Sequence, residues 1–164
     1  MRTLIADDDF TNRLLLQTFL GRYGECHVTV NGREAVEAFR AARAAGQKYD
    51  LVCLDIMMPE MDGHAALRAI REEEAKAGIF SKGAKILMTT ALSEGKDVVA
   101  AFQGLCDSYL VKPISPVRLL QDLKQFGLVK SGPGARGRGP GAGESSCAAH
   151  LQSRRSGSRF NGKP

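Results

Sequence analysis

Asp55 ends the apolar run Leu51-Val52-Cys53-Leu54 and begins the loop Met57-Met58-Pro59-Glu60-Met61-Asp62-Gly63, which puts a carboxylate where a buried strand reaches solvent. In open α/β sheets this is where ligands bind. Three further apolar runs end in polar groups: Leu4-Ile5-Ala6 in Asp7-Asp8-Asp9, Ile86-Leu87-Met88 in Thr89-Thr90, and Tyr109-Leu110-Val111 in Lys112-Pro113. Parallel strands joined by right-handed crossovers leave their C-terminal ends on one rim, and in the order 2-1-3-4-5 the first and third ends are neighbours. Asp7, Asp8 and Asp55 then converge. Three carboxylates a few ångströms apart repel one another and stay ionised together only beside a cation. An all-oxygen donor set favours a hard ion, and Mg2+ is content with few protein ligands plus water. Lys112 adds a compact positive charge and Thr90 a rotatable hydroxyl. Together they suit a phosphoryl group on Asp55, because phosphoryl transfer needs positioning and charge neutralisation more than proton abstraction.

The elements that must position these groups alternate between strand-length apolar runs and longer segments of helical period, the pattern of βαβ units. Strands are predicted near 3–7, 26–30, 50–55, 84–89 and 107–111. Helices are predicted near 10–22, 32–45, 64–77, 95–104 and 116–126. Leu15, Leu16, Phe19 and Leu20 recur at three- and four-residue spacing in the first helix. The second strand alternates as His27, Val28, Thr29, Val30, which predicts a sheet edge with one wet face. The expected fold is α/β: a flavodoxin-like, doubly wound, five-stranded parallel sheet of order 2-1-3-4-5 flanked by five helices.

The chain has 164 residues, 43% of them hydrophobic, enough for one ordinary core. Its formal charge of +5 is unevenly placed: residues 1–130 carry 17 basic and 17 acidic side chains, whereas 131–164 carry 6 and 1. Residues 1–128 are expected to form the domain, and 129–164 a disordered, basic tail rich in Gly, Arg and Ser. That tail has no helix-turn-helix or RNA-binding motif and a single aromatic, Phe160, so nucleic acid is not among the expected partners. Cys26, Cys53, Cys106 and Cys147 form no CxxC pair, which fits a reducing compartment and argues against a thiolate metal site. Met1-Arg2-Thr3 runs straight into a strand, and no apolar stretch has the length to span a bilayer, so a cytoplasmic protein is expected.

Asp7-Asp8, Leu54-Asp55 with the following Met57-Met58-Pro59-Glu60-Met61-Asp62-Gly63, Thr90-Ala91, and Lys112-Pro113 resemble the signature of the response-regulator receiver domain of bacterial two-component systems (CheY-like). The resemblance covers about residues 1–128. It implies that Asp55 accepts phosphate from a histidine kinase or phosphotransfer protein. It also implies that Asp7, Asp8, Asp55 and the Met57 carbonyl hold Mg2+, while Lys112 and Thr90 contact the phosphoryl oxygens. Thr90 and Tyr109 would form the switch, changing a docking surface made by the fourth helix, fifth strand and last helix. A cis Lys112–Pro113 peptide is implied as well. Met57 and Leu92 would flank the path of attacking water, and as apolar residues they predict slow autodephosphorylation. The domain would be a phosphoacceptor rather than an enzyme, with only self-phosphorylation and autodephosphorylation activity. It would act as a stand-alone regulator that docks on a downstream protein target, or as a phosphate carrier in a relay, monomeric or dimerising on phosphorylation.

Two other readings compete. Asp7-Asp8-Asp9-Phe10-Thr11 satisfies the DxDxT pattern of haloacid-dehalogenase-like phosphatases, with Asp7 as nucleophile, but no acidic pair follows Lys112 and no segment is long enough for a cap. A receiver-like module that binds without being phosphorylated would be favoured by loss of the acidic pair, acceptor or lysine, and all are present. Among neighbouring residues, Asp9 is read as a solvated residue at the helix start and Asp62 as a cap for the helix after Gly63. Tyr109 by itself could be a packing residue with a wet hydroxyl. His27, His64 and His150 are given no catalytic role.

Overall fold

A computed structural model describes residues 1–79, 83–91 and 104–130. Five strands, β1 (Arg2–Ala6), β2 (Glu25–Thr29), β3 (Leu51–Asp55), β4 (Lys85–Thr90) and β5 (Ser108–Val111), form one parallel sheet in the order β2-β1-β3-β4-β5. Four helices lie among the described residues: α1 (Phe10–Leu20), α2 (Gly32–Ala44), α3 (Gly63–Lys76) and α4 (Pro116–Gln125). The helix expected near 95–104 falls almost wholly outside them, as does the segment from 131 onward, so four helices stand where five were expected.

Strands β1, β3 and β4 are apolar on both faces because helices cover both. Leu4, Val52, Leu54, Ile86 and Met88 point to one side and pack with Val36 and Phe39 of α2 and Leu67 and Ile70 of α3. Their strand neighbours Ile5, Leu51, Cys53, Leu87 and Leu110 point to the other and meet Leu16 and Leu20 of α1 and Leu119 and Leu123 of α4. This two-residue alternation is what places a sheet between two helical layers. Each fully buried leucine or isoleucine here is worth roughly 1.5–3 kcal/mol of transfer free energy.

Helix starts are fixed by caps. Asp9, Asn31, Asp62 and Ser115 each accept a hydrogen bond from the backbone N–H three residues on, which satisfies an otherwise orphaned donor. Asp9 and Asp62 thus do what the sequence suggested. Glu34 returns the favour to α2 by accepting from the Val30 N–H at 3.1 Å. β2 is one edge of the sheet; Val28 is partly exposed, while Glu25 and Arg2 pair at 3.5 Å and Glu25 meets His27 at 2.9 Å. At the N-terminal end of β4, Asp107 joins Lys85 (2.6 Å), Arg71 (3.1 Å) and the Ile86 N–H (2.9 Å).

Register brings the chemistry together. Ala6 pairs with Leu54, so the next positions outward are Asp7 and Asp55; Asp55 pairs with Thr89; Thr90 pairs with Val111, and Lys112 follows. Residues as far as 48 positions apart in sequence, Asp7 and Asp55, therefore emerge side by side.

Candidate functional site

Asp7 sits one residue past β1 and is completely buried, whereas Asp8 beside it is exposed. Asp55, the last residue of β3, is only 4% exposed. One carboxylate oxygen from each of Asp7, Asp8 and Asp55 lies within 4.8 Å of the others. Lys112 Nζ enters this group and bridges two of its members, 2.8 Å from Asp55 Oδ2 and 3.1 Å from Asp7 Oδ2. Burial pushes the Asp55 carboxyl up to about 6; the Asp7 and Asp8 charges add to this, and the Lys112 hydrogen bond works against it. Burial alone would lower the Lys112 ammonium, but Asp55 and Asp7 outweigh it and raise the lysine above its ordinary value.

Asp7 is held from one side only. Its Oδ1 accepts from the Asp9 N–H at 2.9 Å and from Asn12 Nδ2 at 3.4 Å. Its buried Oδ2 has no aligned hydrogen-bond donor, although the Lys112 ammonium lies close by. Three carboxylates facing one ammonium leave an excess of negative charge, and every donor in the group is an oxygen. This set fits a hard divalent cation such as Mg2+, held by Asp7, Asp8 and Asp55.

Thr90 closes β4 as a buried residue whose hydroxyl donates to the Ala91 carbonyl at 3.0 Å and whose own carbonyl accepts from the Lys112 N–H at 2.8 Å. The Lys112–Pro113 peptide is cis. Met57 lies two residues beyond Asp55 and is 67% exposed. Tyr109 is on β5, three residues before Lys112; its ring packs against the core and its hydroxyl meets the Cys106 thiol. Burial, with Cys106 adding, pushes that hydroxyl up. Leu92 lies outside the described residues. Thus Asp7, Asp8, Asp55 and Lys112 form one contact group, Thr90 adjoins it through the backbone, and Tyr109 stands on the neighbouring strand.

The loop after Asp55 depends on close backbone approach. A Cβ on Gly63 would fall 2.1 Å from the Asp55 carbonyl oxygen, and the Gly63 N–H donates to the Ile56 carbonyl at 2.9 Å. Glu60 has φ of 64° and pairs with Arg33 at 2.7 Å, which ties this loop to the start of α2. Two residues of the site were not foreseen. Asn12 reaches Asp7 as just described, and Arg13 Nη1 donates to both the Asp7 and the Asp8 carbonyls at 2.7 Å. On a helical period they are merely polar positions on the first turn of α1.

The family model for the response regulator receiver domain matches residues 3–124. The chain belongs to the response regulator receiver domain family. The transcriptional regulatory protein SrrA of Staphylococcus aureus is 36% identical over 122 residues, covering 74% of this chain and 45% of SrrA. The receiver chain therefore spans less than half the length of the curated relatives it matches. Among solved structures, a CheY-like receiver domain protein from Methanospirillum hungatei is 27% identical with a TM-score of 0.60, covering 76% of this chain and 92% of that one. The receiver domain of Francisella response regulator 1452 is 25% identical with a TM-score of 0.59, covering 76% and 94%. Membership places the chain in a two-component signalling family rather than a classical enzyme family, and the phosphatase reading of Asp7 gives way to it. Among the described residues no helix is long and apolar enough to cross a membrane.

Proposed function

We propose that this receiver domain is phosphorylated on Asp55 by a histidine kinase or phosphotransfer protein in a Mg2+-dependent reaction. The observation that supports it most is Lys112 bridging Asp7 and Asp55 within a three-carboxylate group at the C-terminal rim. An Asp55 carboxylate oxygen attacks phosphorus, the P–N bond to the donor histidine breaks, and its electron pair returns to the imidazole. Bound Mg2+ would neutralise charge on the phosphoryl oxygens as they approach the acids. Asp7, Asp8, Asp55 and the Met57 carbonyl are assigned to hold it. The Lys112 ammonium moves its attraction from Asp55 to the phosphoryl group, and the Thr90 hydroxyl turns from the Ala91 carbonyl to donate to the same group. That movement frees space toward Tyr109, whose rotation alters the surface at β5 and α4; the helix expected near 95–104 to share it lies almost wholly outside the described residues.

The output is docking of that surface on a downstream protein, with monomeric or phosphorylation-dependent dimeric states. We take residues 1–128 as the domain and 129–164 as a basic extension, and place the protein in the cytoplasm. SrrA is a transcriptional regulator, but the matched segment is only the receiver part of its length, so no nucleic-acid role is assigned to this domain.

Intact-mass measurement after incubation with acetyl phosphate and Mg2+ tests the reading. Wild type should gain one acid- and hydroxylamine-labile phosphoryl adduct, and Asp55→Ala and Asp55→Asn should gain none. Labelling of Asp55→Asn on Asp7, or no labelling of wild type with any phosphodonor, would overturn it.

A further inference from the structure

We propose that Arg13 is a positioning residue that sets the conformation of the Asp7–Asp8 segment and thereby its affinity for a divalent cation. The inference rests on the Mg2+ reading above and adds to it a residue that touches neither the ion nor the phosphoryl group. Arg13 lies on the first turn of α1, and its Nη1 donates to the Asp7 and Asp8 carbonyls at 2.7 Å each. These are charge-assisted hydrogen bonds from a rigid planar group, and they tie together the two peptide units that carry the acidic side chains. The guanidinium is itself steadied over the Phe10 ring at 5.9 Å.

The same turn of α1 acts on the Asp7 side chain. Asp9, whose carboxylate caps the helix by accepting from the Asn12 N–H at 2.8 Å, donates its own N–H to Asp7 Oδ1, and Asn12 Nδ2 reaches that same oxygen. One oxygen of Asp7 is thereby consumed by the helix start, and the other, buried Oδ2, is left facing Asp55 and Lys112. Arg13 fixes the main chain and Asp9 with Asn12 fix the side chain, so the direction of Oδ2 follows from α1. Groups that orient a ligand without binding the ion commonly carry a 10- to 100-fold effect on metal affinity, roughly, and the lower end applies to a half-buried arginine acting through carbonyls.

The sign of the effect separates positioning from charge. Arg13 is a cation beside an acidic cluster, so its field alone repels a second cation, and its removal would tighten Mg2+ binding if charge were all it supplied. Positioning demands the reverse. Arg13→Met keeps much of the stem and loses the guanidinium; Arg13→Lys keeps the charge but replaces the rigid planar group with a freely rotating, strongly hydrated ammonium. Calorimetric titration with Mg2+ alone should give binding weakened about tenfold in both variants. Amide exchange at Asp7–Asp9 in chelator should be faster, and acetyl phosphate labelling slower at low Mg2+ but restored at saturating Mg2+. Affinity in Arg13→Lys equal to or tighter than wild type would overturn the inference, and this variant decides the matter if Arg13→Met does not fold. A wild-type protein that fails to bind Mg2+ would overturn the reading of the site itself, and this inference with it.

Discussion

Replacing Asp55 by Asn should make the cation-free domain more stable at neutral pH, although it removes one member of an ion pair. The reason lies in the balance at this side chain. Its carboxyl is raised from 3.8 to about 6 with the Lys112 contact already included, so burial and the two neighbouring acids outweigh the lysine. A shift of about two units corresponds to roughly 3 kcal/mol at 1.36 kcal/mol per unit. The sign follows from proton binding: the native state holds this proton more tightly than the unfolded chain. Below about pH 4 both states are protonated and the charge costs nothing. As pH rises from about 4 through 6 the stability due to the tighter proton is lost, and above that range the full penalty of the buried charge stands. Asn has a similar shape and no charge. Its advantage over Asp should therefore be near zero at about pH 4 and reach roughly 1–3 kcal/mol at about pH 8. The chain has no tryptophan, so urea unfolding in chelator followed by far-ultraviolet circular dichroism is the suitable assay. An Asn variant no more stable than wild type at pH 8, or an advantage independent of pH, would refute the reasoning. Added Mg2+ should stabilise wild type more than the variant, because a ligand that binds only the native state adds to its stability.

Gly63→Ala should destabilise the fold by roughly 3 kcal/mol or more, since the new methyl overlaps the Asp55 carbonyl rather than a yielding side chain. Urea midpoints measure it, and a loss below about 1 kcal/mol would show that the loop can retreat. Replacing Met57 by Asn and Leu92 by Glu together should shorten the lifetime of the phosphorylated state about tenfold or more, by offering polar partners to an attacking water. Release of inorganic phosphate from purified phosphoprotein follows this directly, and an unchanged or slower rate would remove these residues from the account.

What the sequence made legible, it did through side chains that obey a strong local rule. The apolar runs at Leu4–Ala6, Leu51–Leu54 and Ile86–Met88 could be placed because strands covered on both faces tolerate no charge. The polar residues ending them then announced the rim. His27 to Val30 announced an edge by alternating. Boundaries moved by a residue or so where backbone pairing or a cap decides them: α3 begins at Gly63 because Asp62 caps it, and β4 extends to Thr90 because Thr90 still pairs with Val111. Arg13, Asn12 and the buried Glu74, which accepts from the Ala84 N–H at 2.7 Å, stayed hidden. Arg13 and Glu74 serve backbone groups, and Asn12 a carboxylate, whose positions exist only once the loops are folded, and no spacing in the chain encodes that.

The polar cover on β2 has a consequence for behaviour at high concentration. A parallel sheet that stops at a strand with unpaired amides offers a template to any other extended chain. Here that strand is five residues long, and its partly exposed Val28 follows His27 and Glu25, the latter paired with Arg2 of β1. Their hydration makes stacking of one molecule's edge on another costly. The domain can thus keep an open margin without becoming a seed for fibrous assembly.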